Sequence, residues 1–117
     1  MSTQRIFTLA DYLQPSDQEP IRSVVSRTQD TAVVAWHVKP GQHLPAHTHP
    51  TGQDTWVILS GIGTYQFDKE GNTRVIKAGD VVIAPTGAVH GVYNHGTEPL
   101  IFAGVVAPAE SGFEVLG

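Results

Sequence analysis

The chain has 117 residues, enough for one hydrophobic core and too few for a core plus a separate substrate-binding domain. Seven Lys and Arg, scattered among eleven Asp and Glu, give a formal net charge of −4, which disfavours nucleic-acid and anionic-membrane partners. There is no cysteine, so disulfides, thiolate catalysis and thiolate-bound metals are excluded, and any metal must be held by His, Asp, Glu or amide side chains.

In chain order, "MSTQRIFTLADYL" lacks the basic, apolar and small-residue zones of a signal peptide. No apolar run approaches the roughly 20 residues of a membrane span, so a soluble, cytoplasmic protein is expected. "ADYLQPSD" offers one turn of helix, stopped by Pro15. Strands are predicted at "IRSVVSRT", "TAVVAWHV", "PAHTH", "DTWVILS", "GTYQFD", "TRVIKA", "DVVIAP", "GVYNHG" and "PLIFAGVVA", each short and rich in β-branched or aromatic residues. Between them "KPGQ", "DKEGN", "KAGD" and "HGTEP" carry the Gly, Asn, Asp or Pro that tight reversals need. Many short strands at close spacing predict an all-β sandwich or barrel. The end segments, residues 1–20 and 108–117, have weaker periodicity and read as arms that cover a sheet edge or reach a neighbouring subunit.

The stretch "HTHPTGQDTWVILSG", residues 47–61, carries the chemistry. His47 and His49 are two positions apart, so in an extended strand both imidazoles leave one face with Cα atoms about 6.6 Å apart, close enough to share an ion. Alone, an H-x-H beside Pro50 reads equally well as two exposed loop histidines. Gly41, His47, His49, Asp54 and Gly61 fit the first motif of the cupin superfamily, with Asp where Glu is usual. Gly79, Pro85, Gly87, His90 and Asn94 fit the second at every position. On these motifs, spanning residues 41–61 and 79–94, the chain resembles a small single-domain cupin (a cupin type-2 conserved barrel) over residues 1–117.

The resemblance implies a double-stranded β-helix, a jelly-roll-like barrel, with one divalent metal ion inside one end. The implied ligands are His47, His49, the acid position and His90. Neutral imidazoles with one oxygen donor suit Fe, Mn, Ni, Cu or Zn and leave positions open for substrate. The motif glycines Gly41, Gly61, Gly79 and Gly87 are expected in turns with positive φ, and Asn94 as a hydrogen-bonding strand end. His37, His43 and His95 are not motif positions and are expected not to touch the ion, His37 or His43 at most contacting a ligand from behind.

The fourth ligand is open between two neighbours. Alternation sends Gln53 and Asp54 to opposite faces; Asp54 has the motif spacing to Gly61 and the better charge, while Gln53 has the spacing of the shorter family variant. With Asp54 inward, Trp56 and Ile58 follow, and Val92 shares a face with His90. These three, with Tyr65 and Phe102, are the expected substrate-pocket residues, and Trp36 and Phe67 are further candidates, although aromatic side chains fill a small barrel's core first. No Arg or Lys stands among the motif residues, and Lys39 and Arg74 beside them read as solvated loop or strand-edge charges, which argues against a strongly anionic substrate.

Two functional classes follow. One is a metal-dependent enzyme, dioxygenase-like or isomerase/lyase-like, acting on a small, largely uncharged or weakly acidic organic molecule. The other is a non-catalytic small-molecule binding or sensing cupin. A homodimer is expected from the resemblance and from apolar outward positions such as Val57 and Leu59.

Overall fold

The computed structural model describes residues 4–116. A 3₁₀ turn at Leu9–Tyr12 precedes ten strands: β1 (Ser23–Arg27), β2 (Ala32–Val38), β3 (His43–Thr48), β4 (Gln53–Ser60), β5 (Ile62–Gln66), β6 (Thr73–Lys77), β7 (Val81–Ala84), β8 (His90–Tyr93), β9 (Leu100–Ala107) and β10 (Glu114–Val115). They form two five-stranded antiparallel sheets, ordered β1-β2-β9-β4-β7 and β10-β3-β8-β5-β6. Apart from the β1–β2 and β5–β6 hairpins, each connection crosses from one sheet to the other, which winds the chain into a double-stranded β-helix.

All nine sequence-predicted strands are present, and β10 is the addition. The helical turn also forms where "ADYLQPSD" placed it and ends before Pro15. Gly41, Gly61, Gly79 and Gly87 all take positive φ, between 80° and 96°. Asn94 is buried, donates from Nδ2 to the carbonyls of Val38 (2.8 Å) and Glu98 (2.9 Å), and accepts from the Gly96 amide (2.9 Å). It thus ties the end of β8 to that of β2.

Strand alternation builds the core. Trp36, Phe102 and Ile58 share one rung across β2, β9 and β4, and Val34, Gly104, Trp56 and Val82 share the next. The rings of Trp56 and Phe102 meet at 4.5 Å, with Tyr65, Val92 and Ile76 closing on them from the other sheet. One rung further on, Asp54 lies among Ala32, Val106 and Ala84. Two of these neighbours are alanines, so there the barrel is not filled solid and a polar group has room.

A bulge sets the register of the other sheet. Leu44 pairs with Val92 and His47 with His90, so Pro45 and Ala46 together face Gly91. Proline has no amide hydrogen to give the ladder and is tolerated at such an irregularity. Gly91 completes the fit, because a Cβ there would come within 2.9 Å of the Ala46 backbone. The extra residue brings His47 directly opposite His90.

Candidate metal centre

Four side chains converge at the end of the core. His47 comes from β3, His49 from just beyond it, Asp54 from the start of β4 and His90 from the start of β8. One ligand-type atom from each lies within 4.8 Å of the others. The ring centroids of His47 and His90 are 4.1 Å apart, and His49 is 5.2 Å from His47 and 5.1 Å from His90. His47, Asp54 and His90 are buried.

Backbone carbonyls fix the orientation of all three rings. His47 Nδ1 lies 2.7 Å from the carbonyl oxygen of Pro45, His49 Nδ1 2.8 Å from that of Gly112, and His90 Nδ1 3.2 Å from that of Ala88. A carbonyl oxygen only accepts, so Nδ1 carries the hydrogen, and in the neutral ring the bare lone pair is on Nε2. The Nε2 atoms of His90 and His49 then point at Asp54 Oδ2, at 3.0 Å and 3.4 Å. Lone pairs and a carboxylate oxygen at these separations repel unless a proton, giving a hydrogen bond, or a metal cation sits between them.

The electrostatics have the same bias. Burial alone would raise the Asp54 carboxyl, but hydrogen bonds from His49 and His90 outweigh it and hold its pKa down at about 2. His49 is raised by its hydrogen bond to Asp54, against burial. His47 is pushed down to about 4 by burial, reinforced by His90. Asp54 Oδ1 is buried without a hydrogen-bond partner; the Trp56 indole N–H beside it helps to stabilise the carboxylate but does not reach hydrogen-bond geometry. An anionic oxygen with unused lone pairs, facing three oriented imidazoles, fits a divalent ion. Gln53, by alternation with Asp54, is exposed, whereas Asp54 is buried.

A cavity of about 210 Å³ opens beside the cluster. Its walls are His47, His49 and Asp54 with Val34, Trp36, Leu44, Val106 and Phe113, and Arg22 stands at its border. Of the residues named from sequence as pocket residues, Trp56, Ile58, Tyr65, Val92 and Phe102 are all buried in the packed core beneath the cluster, and none lines this cavity. They point inward with Asp54 and His90, but there the two sheets interlock. Trp36 does line the cavity, whereas Phe67 is exposed at the far edge, in a groove of about 460 Å³ between β6 and β7 that contains none of the clustered residues. His37, His43 and His95 lie outside the cluster.

Two contributors are invisible in the sequence. Phe113 packs 4.8 Å from the His47 ring, carried there by β10, which pairs with β3 at Thr48 and His47. Arg22 precedes β1 and corrects the expectation that no cation stands near the motifs: it is remote in sequence, but β1 runs along the sheet beside β2 and brings it to the cavity. Of the cations near the motifs in sequence, Lys39 is paired with Asp17, Lys77 lies 3.8 Å from Asp80 and Arg74 borders the far groove.

The family profile described as "Cupin domain" matches residues 34–106. In structure the chain is similar to a protein with a double-stranded β-helix domain from Klebsiella pneumoniae, with a TM-score of 0.94 and 49% identity, covering 98% of this chain and 99% of that one. In sequence it is similar to germin-like protein 5-1 of Oryza sativa subsp. japonica, 37% identical over 67 residues, or 53% of this chain and 29% of the rice protein. It spans 29% to 38% of the length of this rice protein and of two auxin-binding proteins of Prunus persica that it also matches. Oxalate oxidase shares the fold, with a TM-score of 0.79 at 14% identity, covering 95% of this chain and 63% of that one. With a profile match over more than half its length, both motifs in place and the double-stranded β-helix formed, the chain belongs to the cupin family.

Proposed function

We propose that the protein is a metal-dependent enzyme that holds one divalent ion through His47, His49, Asp54 and His90 and acts on a small organic molecule in the adjoining cavity. One observation carries this reading: backbone carbonyls hold all three Nδ1 atoms, leaving the Nε2 lone pairs to face a buried carboxylate. Such a donor set suits iron, manganese, nickel, copper or zinc. The bound ion supplies a Lewis acid, or with iron, manganese or copper a redox centre, at which adjacent substrate oxygens are polarised.

The chain's own residues do the rest. Asp54 offsets part of the ion's charge, and its low pKa keeps it ionised across the physiological range. The carbonyls of Pro45, Gly112 and Ala88 hold the rings in their binding tautomer. Val34, Trp36, Leu44, Val106 and Phe113 supply an apolar wall that excludes bulk water. Among the described residues, the cavity lining outside the histidines and Asp54 has no carboxylate or histidine to act as an acid or base, which favours chemistry centred on the ion.

The test is metal identification on protein purified without chelator, followed by oxygen-consumption and substrate-loss assays with catechols, diketones and thiols. One divalent ion per chain with turnover of a member of this panel is expected. An ion present without any turnover would replace the enzyme with a binding module, and absence of an ion would remove the reading altogether.

A further inference from the structure

The cavity beside the cluster has one feature that metal binding leaves unused. Among the described residues, Arg22 is the only cationic side chain lining it apart from the histidines, and the rest of the lining outside the cluster is apolar. Arg27 and Lys39 are both paired, with Glu110 and Asp17. Arg22 has no carboxylate within 4.0 Å among the described residues, so its guanidinium is available to a ligand.

We propose that Arg22 anchors a carboxylate, and that the ligands of this cavity are small organic acids with an apolar or aromatic body; the inference rests on the metal-centre reading above. Charge and shape support it together. A divalent ion among three neutral imidazoles and one carboxylate keeps one positive charge, and Arg22 adds a second at the border of the same apolar space. Arg22 is exposed and solvated at that border, so it is reachable from solvent; a ligand carboxylate there neutralises the guanidinium charge and offsets part of the field of the ion, which a neutral ligand does not. The planar guanidinium fork matches a carboxylate through two parallel N–H···O bonds, which neither an ammonium nor an imidazole can do.

Size narrows the class further. An apolar cavity of about 150 Å³ takes benzene, so the 210 Å³ here holds one ring, or an aliphatic chain of similar bulk, with a carboxylate added. Trp36 and Phe113 provide flat apolar surfaces for that body. The carboxylate lies toward Arg22, and the other end of the molecule reaches the His49–Asp54 side.

The experiment compares benzoate with its neutral isostere benzamide by titration calorimetry on the metal-loaded full-length chain, wild type and Arg22→Gln, with metal content measured on each sample. Benzoate is expected to bind wild type at least about tenfold more tightly than benzamide, the worth of a charged hydrogen bond. Arg22→Gln is expected to erase that gap with metal content unchanged. Equal binding of the two probes by wild type, no binding of either at millimolar concentration, or a gap that survives in Arg22→Gln would overturn the proposal, the last because the ion rather than Arg22 would then be reading the charge. Metal content separates the two readings: a wild type without the ion removes the metal centre, whereas a metal-loaded cavity blind to charge removes the carboxylate anchor.

Discussion

At the residue scale, the three histidines are chemically unequal although the motif treats them alike. His47, buried and beside His90, favours the neutral ring, and His49, hydrogen-bonded to Asp54, favours the charged one. In the metal-free protein the two act in different pH windows. The raised His49 contributes stability that is fully present below about 6.5 and fades as pH rises through its higher folded value. The lowered His47 is neutral at its reference value, so stability falls as pH drops from 6.5 toward about 4, where the folded ring finally takes a proton. The second effect is on the order of 3 kcal/mol. His47→Asn should therefore flatten the acid limb of metal-free stability between about pH 6.5 and 4, as read by urea unfolding across pH; an acid limb as steep as that of wild type would contradict the assignment. This asymmetry was not legible in the sequence, because H-x-H spacing says which rings share a face but not which ring meets the carboxylate. The choice between Gln53 and Asp54 was half legible: alternation showed that only one points inward, and the fold shows that it is Asp54.

At the element scale, the carboxy-terminal strap ties the site together. Gly112 accepts from His49 Nδ1, Ser111 Oγ lies 3.1 Å from the same nitrogen, and Phe113 closes over His47. Its anchors are the Thr51 amide donating to the Ser111 carbonyl (2.9 Å), the Leu116 amide donating to the Ala46 carbonyl (3.1 Å) and the short β10 ladder. Close approach at Gly52 makes this docking possible, since a Cβ there would lie 2.3 Å from that of Ser111. Gly52→Ala should displace the strap, speed hydrogen exchange at the Leu116 amide and weaken metal binding about tenfold through loss of the His49 orienting bond; unchanged exchange and affinity would show that the strap is independent of the site. The sequence marks residues 108–117 as an arm that covers an edge or reaches a neighbouring subunit, but a two-residue strand has no periodicity to reveal β10 or its target. The bulge opposite Gly91 was equally hidden, since Pro45 reads as a strand end until its partner strand is known.

At the scale of the whole molecule, turn residues and alternation made the barrel legible, because each strand is short, punctuated and one-sided. What they could not reveal is which sheet positions stay open, and for that reason the expected pocket fell in the packed core. The outer face of the β1-β2-β9-β4-β7 sheet is also unusually apolar: Val33, Val105, Thr55 and Ile83 form one rung, and Ala35, Ala103, Val57 and Val81 the next. Val57, Val81 and Ile83 are 37%, 59% and 55% exposed, and neither rung has a charge. We propose that this face joins two copies in a homodimer, and Val57→Asp should shift the light-scattering mass from dimer to monomer; a wild type that is monomeric at high concentration would remove the idea. The most direct test of the metal centre itself is the ion-to-chain ratio, by elemental analysis, of wild type, Asp54→Ala, His90→Ala and Gln53→Ala purified in parallel without chelator. One ion per chain in wild type and Gln53→Ala, with loss of most of it in Asp54→Ala and His90→Ala, is the predicted result; full occupancy in Asp54→Ala together with loss in Gln53→Ala would contradict it.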